Sequence, residues 1–240
     1  GDALGAPLEF KNANPADKLL TKYTTGGAHN VSIGEWTDDT SMALAIAKSL
    51  IEKQTFDADD IMQKFCNWYF KGEYSTRGKC FDIGGTVAVA LRSYSKTLDN
   101  DDYLQPYRGR TGVDTSGNGA LMRMAPVIMV AKNPFHAMQL ATQQNLLTHG
   151  SNLCIEYSLM LAEELYHGPP ISRFESYKLP LDIEINKVMS GVFVKETYEA
   201  AWWAFSTTNS FEDCIIKAVN RGHDADTTGA VAGMIAGRYY

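Results

Sequence analysis

Gly34-Glu35-Trp36-Thr37-Asp38-Asp39-Thr40-Ser41 leads into Met42, Leu44, Ile46 and Leu50 spaced among alanines. The apolar period is helical, so two adjacent carboxylates and a hydroxyl stand at a helix N-terminus. Capping and the helix dipole explain one such residue there. Two side by side repel each other, and a hard cation removes that repulsion. Further along, His223-Asp224-Ala225-Asp226-Thr227-Thr228 repeats the pattern ahead of the helix Gly229–Gly237. Glycines recur there at every fourth residue, each costing about 1 kcal/mol relative to alanine in a helix. They predict a central helix with another backbone pressed against one face.

Working outward, the rest of the chain is also helical in period. Asp57 caps a segment whose Ile61, Phe65, Trp68 and Tyr69 share a face. Asn133-Pro134 reads as an N-cap with proline at the first helical position, continued by Leu140, Gln144 and Leu147. Ser151 opens a helix with Ile155, Leu159, Ala162 and Tyr166 on one stripe and Gly168 as its stop. Ser210 and Asp213 have capping-box spacing before Ile215, Ile216 and Val219. Only Leu179, Leu181, Ile183 and Ile185 alternate like a strand, and Pro180 argues against one. Residues 23–32, 98–115 and 168–181 read as loops. The fold class expected is all-α: one compact multi-helix domain over residues 1–240, with about eight to ten helices at the usual helix length.

Composition narrows the function classes. Of the 240 residues 45% are hydrophobic and 21% charged, which excludes a disordered or fibrous chain. No apolar run is long enough for a membrane helix. The net charge of −6 gives no global attraction to nucleic acid or to an anionic membrane, so neither partner is expected. The four cysteines form no CxxC pair, so zinc is not expected and free thiols in a reducing compartment are, hence the cytoplasm. The start at Gly1 lacks a signal-peptide pattern and an initiating Met, so a truncated N-terminus is expected.

Together the two acidic starts offer Thr37, Asp38, Asp39, Asp224, Asp226 and Thr227, all oxygen donors. Such a set suits Mg²⁺, Mn²⁺ or Ca²⁺ rather than zinc or copper, and four carboxylates suffice for two ions. Thr115-Ser116-Gly117-Asn118-Gly119-Ala120 is not a Rossmann fingerprint. Its Gly-Asn-Gly turn can present backbone N–H groups to an anion at a helix start, or be an ordinary turn. Asp82 and two glycines similarly lead into Val87, Ala90 and Leu91. His223 and His149 are lone histidines, read most simply as a hydrogen-bonded neighbour of the acidic cluster and a helix cap.

These motifs resemble the ADP-ribosylglycohydrolases. Gly1–Phe10, Trp36–Thr40, Phe81–Gly84, Gly117–Gly119 with Met122-Arg123 and Ala125-Pro126, and Asp224–Gly229 stand in the family's order across nearly the whole chain. The bacterial type that reactivates dinitrogenase reductase is the nearest in look. The resemblance implies a central two-metal Mg²⁺ or Mn²⁺ site held by Thr37, Asp38, Asp39, Asp224, Asp226 and Thr227, with Asp39 also in a catalytic part. It implies that Asp82 lies near the scissile ribose and Glu9 beside the metals. Ser116, Gly117, Asn118, Gly119, His149 and Gly84 fall in the region that holds ADP-ribose. Two departures bear on substrate details: His223 stands where a glycine is common, and Gly85, Thr86 and Val87 follow the Asp82 motif.

The implied activity is metal-dependent hydrolysis of the bond between ADP-ribose and an acceptor such as a modified arginine side chain. Serine, O-acetyl-ADP-ribose and small guanidines remain open as acceptors, and the partner is an ADP-ribosylated protein or a small ADP-ribosyl compound. A monomer is expected. Two alternatives remain: a catalytically silent binding or crystallin-like structural relative, and a metal-dependent nucleotide phosphohydrolase.

Overall fold

The computed structural model describes residues 1–98, 106–168 and 188–240. Ten α-helices lie among the described residues. They are α1 (Asp2–Gly5), α2 (Asp38–Lys53), α3 (Ala58–Lys71), α4 (Gly85–Leu98), α5 (Ala125–Met129), α6 (Pro134–Leu146), α7 (Asn152–His167), α8 (Val194–Ser206), α9 (Phe211–Val219) and α10 (Ala225–Tyr239). No strand is found among the described residues. The all-α expectation holds. The alternation at Leu179–Ile185 lies outside the described residues.

Within the fold, residues 37–166 and residues 1–36 with 167–240 form two compact units. The division has no compositional mark. One boundary falls inside the Trp36-Thr37 motif and the other at the end of α7.

In residues 37–166, α2 packs on α3 and α5, α3 on α4, and α5 on α6. Met42, Ile46, Ile61, Phe65, Trp68, Leu91 and Leu140 fill the space between them. The Asp57 side chain accepts from Asp60 N–H and that of Asn133 from His136 N–H, as the spacing predicts. The stripe expected on α7 is displaced by one position. Cys154, Ser158, Leu161, Ala162 and Leu165 are buried, whereas Ile155, Leu159 and Tyr166 are only half-buried. Partners at buried polar positions decide this: Ser158 Oγ donates to Asn145 Oδ1 at 2.9 Å and Cys154 Sγ approaches the Gly117 carbonyl at 3.3 Å. A polar group with such partners tolerates burial.

In the other unit, α10 is central, contacting α1, α8 and α9. Its glycine face meets α9 and the start of the chain. A Cβ on Gly229 would stand 2.7 Å from Val219 Cγ1 and 2.9 Å from the Gly1 carbonyl oxygen. Gly5 is pressed equally hard against the Ala225 and Asp226 backbone. The close backbone approach inferred from the glycine spacing is therefore made by α1.

Candidate functional site

Three helix starts use a side chain as a cap, at Asp57, Asn133 and Ser210. The two acidic starts do not: neither Thr37 nor Asp224 makes a side-chain cap hydrogen bond.

In the unit built on α10, four carboxylates converge. Asp224, Asp226 and Glu9 each offer an oxygen within 4.8 Å of the others, and Asp2 comes equally close to Asp226. All four residues are buried. Burial of like charges at this spacing is costly without a compensating cation or proton. Local backbone geometry brings them together. Phe10 N–H donates to the His223 carbonyl and His223 N–H to the Lys11 carbonyl, both at 2.6 Å. Phe10 and His223 both adopt positive φ, 58° and 54°, so each chain turns sharply beside the other. Glu9 and Asp224 are the neighbours of these two hinges. The next peptide is pinned as well, Asp224 N–H donating to the Ser190 carbonyl at 2.9 Å. Asp226 Oδ1 accepts from Thr227 N–H at 3.0 Å.

Glu9 Oε2 also lies 3.0 Å from His29 Nε2. His29 sits in the expected loop, which closes on itself through the Gly26–Val31 bridge. The exposed His223 side chain is not among the convergent groups.

In the other unit, Thr37 Oγ1 donates to Asp39 Oδ2 at 3.2 Å, and Thr37, Asp38 and Asp39 are all buried. Asp82 is half-buried and held at φ 49°, an uncommon conformation for a residue other than glycine. Burial, together with the Asp38 and Asp82 carboxylates, pushes the Cys80 thiol up to about 12, so Cys80 is no nucleophile. Gly84 is exposed, and a Cβ there would meet nothing within 4 Å.

The Ser116–Gly119 segment is a turn, and no helix starts at its end. The chain makes further turns until α5 begins at Ala125. The expected helix N-terminus is therefore absent: Asn118 O accepts from both Leu121 and Met122 N–H, a single turn that is not continued into a helix. Ser116 Oγ donates to Ser151 Oγ at 2.7 Å, tying the turn to the start of α7. Gly119 lies against His149: a Cβ would stand 3.0 Å from its Cε1. His149 is 1% exposed, and burial together with the Arg123 charge lowers its pKa to about 3. A neutral ring cannot complement a helix C-terminus, so the simple cap reading of His149 fails.

The sequence model of the ADP-ribosylglycohydrolase family matches residues 1–168 and 171–240. This chain belongs to that family.

Among relatives of this ADP-ribosylglycohydrolase chain is the ADP-ribosylarginine hydrolase Tri1 of Serratia proteamaculans, 34% identical over all of this chain and 68% of its own length. The ADP-ribosyl-[dinitrogen reductase] glycohydrolase of Rhodospirillum rubrum is 31% identical, over all of this chain and 82% of that protein. A solved structure titled ADP-ribosylglycohydrolase-related protein complex superposes with a TM-score of 0.79 at 33% identity, covering all of this chain and 83% of that one.

Sequence reasoning missed four residues of this ADP-ribosylglycohydrolase. Asp2 and His29 stand beside the acidic group, and Arg123 and Thr148 stand behind His149. Asp2 and Arg123 lie in quoted motifs, so their positions were visible though not their roles. His29 lies in a featureless loop and left no signal.

Proposed function

We propose that this ADP-ribosylglycohydrolase cleaves the N-glycosidic bond between ADP-ribose and the guanidinium of a modified arginine, with two Mg²⁺ or Mn²⁺ ions as cofactors. The observation that carries the reading is the buried group Glu9, Asp224 and Asp226, in a chain with relatives named ADP-ribosylarginine hydrolases. The donor set fits a hard divalent cation, since every side chain in it offers oxygen.

Thr37, Asp38, Asp39, Asp224, Asp226 and Thr227 would hold the cations. When bound, such ions act as Lewis acids on ribose hydroxyls and lower the pKa of a coordinated water. The chain's own residues do the remainder. Asp39, itself one of the ligand set, also has a catalytic part in orienting the ribose. Asp82 and Glu9 place negative charge where the ribose ring becomes oxocarbenium-like as the C–N bond stretches. Gly117, Asn118 and Gly119 receive the diphosphate through backbone N–H groups, with His149 as a side-chain donor and Ser116, whose own N–H donates to the Val113 carbonyl at 3.1 Å, holding the turn from behind. Gly84 leaves open space for the ribose. The free thiols Cys66, Cys80, Cys154 and Cys214 fit a reducing, cytoplasmic setting.

The test is incubation with an arginine-ADP-ribosylated protein and Mn²⁺ or Mg²⁺. Free ADP-ribose should accumulate, and should not do so in excess EDTA. Equal release with EDTA removes the metals from the proposal, and no release from arginine-linked substrate removes the acceptor.

A further inference from the structure

Behind the Gly117–Gly119 turn a guanidinium, a hydroxyl and an imidazole stand in line. Arg123, Thr148 and His149 are 0%, 0% and 1% exposed. The guanidinium is locked by Gln144, with Nε donating to Gln144 Oε1 and NH2 to the Gln144 carbonyl, both at 3.1 Å. It also lies over the Phe65 ring. From this fixed position Arg123 NH2 donates to Thr148 Oγ1 at 2.6 Å, and Thr148 Oγ1 lies 2.8 Å from His149 Nδ1.

The chemistry of the three groups sets the direction of both bonds. Arginine has donors only, so Thr148 Oγ1 is an acceptor toward Arg123. The threonine hydroxyl has one proton of its own to place. Nδ1 of His149 is the remaining partner of Thr148 Oγ1 among the described residues, so the proton points there. The reverse arrangement, with Nδ1–H donating, would strand a buried O–H without an acceptor, which folded proteins avoid. Burial and the Arg123 charge oppose a second ring proton. The ring is therefore neutral and carries its proton on Nε2. That edge of the ring faces the turn, where a Cβ on Gly119 would stand 3.5 Å from Nε2. Nε2 itself has no hydrogen-bond acceptor among the described residues.

We propose that Arg123, acting through Thr148, is a positioning residue that fixes His149 as an obligate Nε2–H donor to a diphosphate oxygen of ADP-ribose on the Ser116–Gly119 turn. The inference rests on the reading of that turn as the diphosphate site. The other tautomer would aim a lone pair at an anion. Arg123 thus biases the site toward anions without touching the ligand.

The experiment uses the full chain labelled with ¹⁵N-histidine, together with Thr148→Val, Thr148→Ser and Arg123→Lys. Long-range ¹H–¹⁵N correlations report the tautomer, and calorimetry reports ADP-ribose affinity. The parent and Thr148→Ser should show His149 protonated at Nε2 alone, and saturation with ADP-ribose should move that resonance. Thr148→Val should lose the single tautomer and raise the ADP-ribose Kd about tenfold or more, as expected for a lost hydrogen bond to a charged group. Arg123→Lys should act the same way if it folds, and the Thr148 pair decides the matter if it does not. An Nδ1–H tautomer in the free parent overturns the proposal, and so does an unchanged Kd in Thr148→Val. A parent that binds ADP-ribose with the His149 resonance unmoved overturns the placement of the diphosphate on the turn, and this proposal with it.

Discussion

Glu9 and Asp226 share a buried cluster, with oxygens within 4.8 Å of each other, yet their surroundings differ. Asp226 sits in the first turn of α10, where the local N–H groups and the helix dipole fix its carboxylate. Glu9 follows a short turn and leans on His29 at 3.0 Å. Under the proposed function Asp226 is a ligand and Glu9 a charge-stabilising group. Asp226→Ala should abolish turnover and weaken Mn²⁺ binding in calorimetry. Glu9→Gln should bind Mn²⁺ and ADP-ribose near the parent level while hydrolysis slows by about 10²–10⁴-fold, the usual range for a group acting in the transition state. Loss of metal in Glu9→Gln would make Glu9 a ligand and end this division of roles.

At the level of elements, the decisive feature is the reciprocal pairing of Phe10 and Lys11 with His223. It holds the segment after α1 against the entry to α10 through two short hydrogen bonds. His223 adopts φ 54° to make them. The left-handed region costs a residue with a Cβ roughly 1–2 kcal/mol, whereas glycine enters it freely at about 0.5–1 kcal/mol of added unfolded-chain entropy. His223→Gly should therefore stabilise the protein by about 0.5 kcal/mol, a rise in Tm of about 1–2 °C for a chain of this size. Its exposed side chain makes the change neutral for metal binding. A fall in the denaturation midpoint would show that the imidazole contributes more than the strain removes.

For the whole molecule, stability should depend on pH through His149. Its pKa is about 3 when folded, against 6.5 for a free imidazole, because burial and the Arg123 charge both oppose protonation. Below pH 6.5 the unfolded chain takes up a proton that the folded chain refuses. The stabilisation is thus complete above pH 6.5 and is lost as pH falls toward 3. The slope is about 1.4 kcal/mol per pH unit for one proton. Urea midpoints at pH 7 and pH 5 should differ more for the parent than for His149→Gln, and equal differences would contradict this. Metal should act on the whole fold too. Binding to the folded state alone adds about 2.7 kcal/mol at a free concentration of 100 Kd. Saturating Mn²⁺ should raise the parent Tm by several degrees and leave Asp226→Ala unmoved, as read by calorimetric melting.

The amino-acid sequence alone determined the helical class, because apolar periodicity and capping are local properties. Asp57, Asn133 and Ser210 cap their helices as their spacing predicts. It also marked Asp38 with Asp39, and Asp224 with Asp226, as paired carboxylates at two helix starts, and the structure buries both pairs. Tertiary structure decided everything that depends on contacts between distant segments. The buried stripe of α7 follows Ser158 and Cys154 because Asn145 and Gly117 supply their partners, and no periodicity in residues 151–168 encodes that. Glu9 joins Asp224 and Asp226 through a backbone turn more than 200 residues away in sequence, so spacing gives no hint of it. His149 reads as a cap in sequence, but burial and the Arg123 charge lower its pKa, and both arise only when the distant segments fold together.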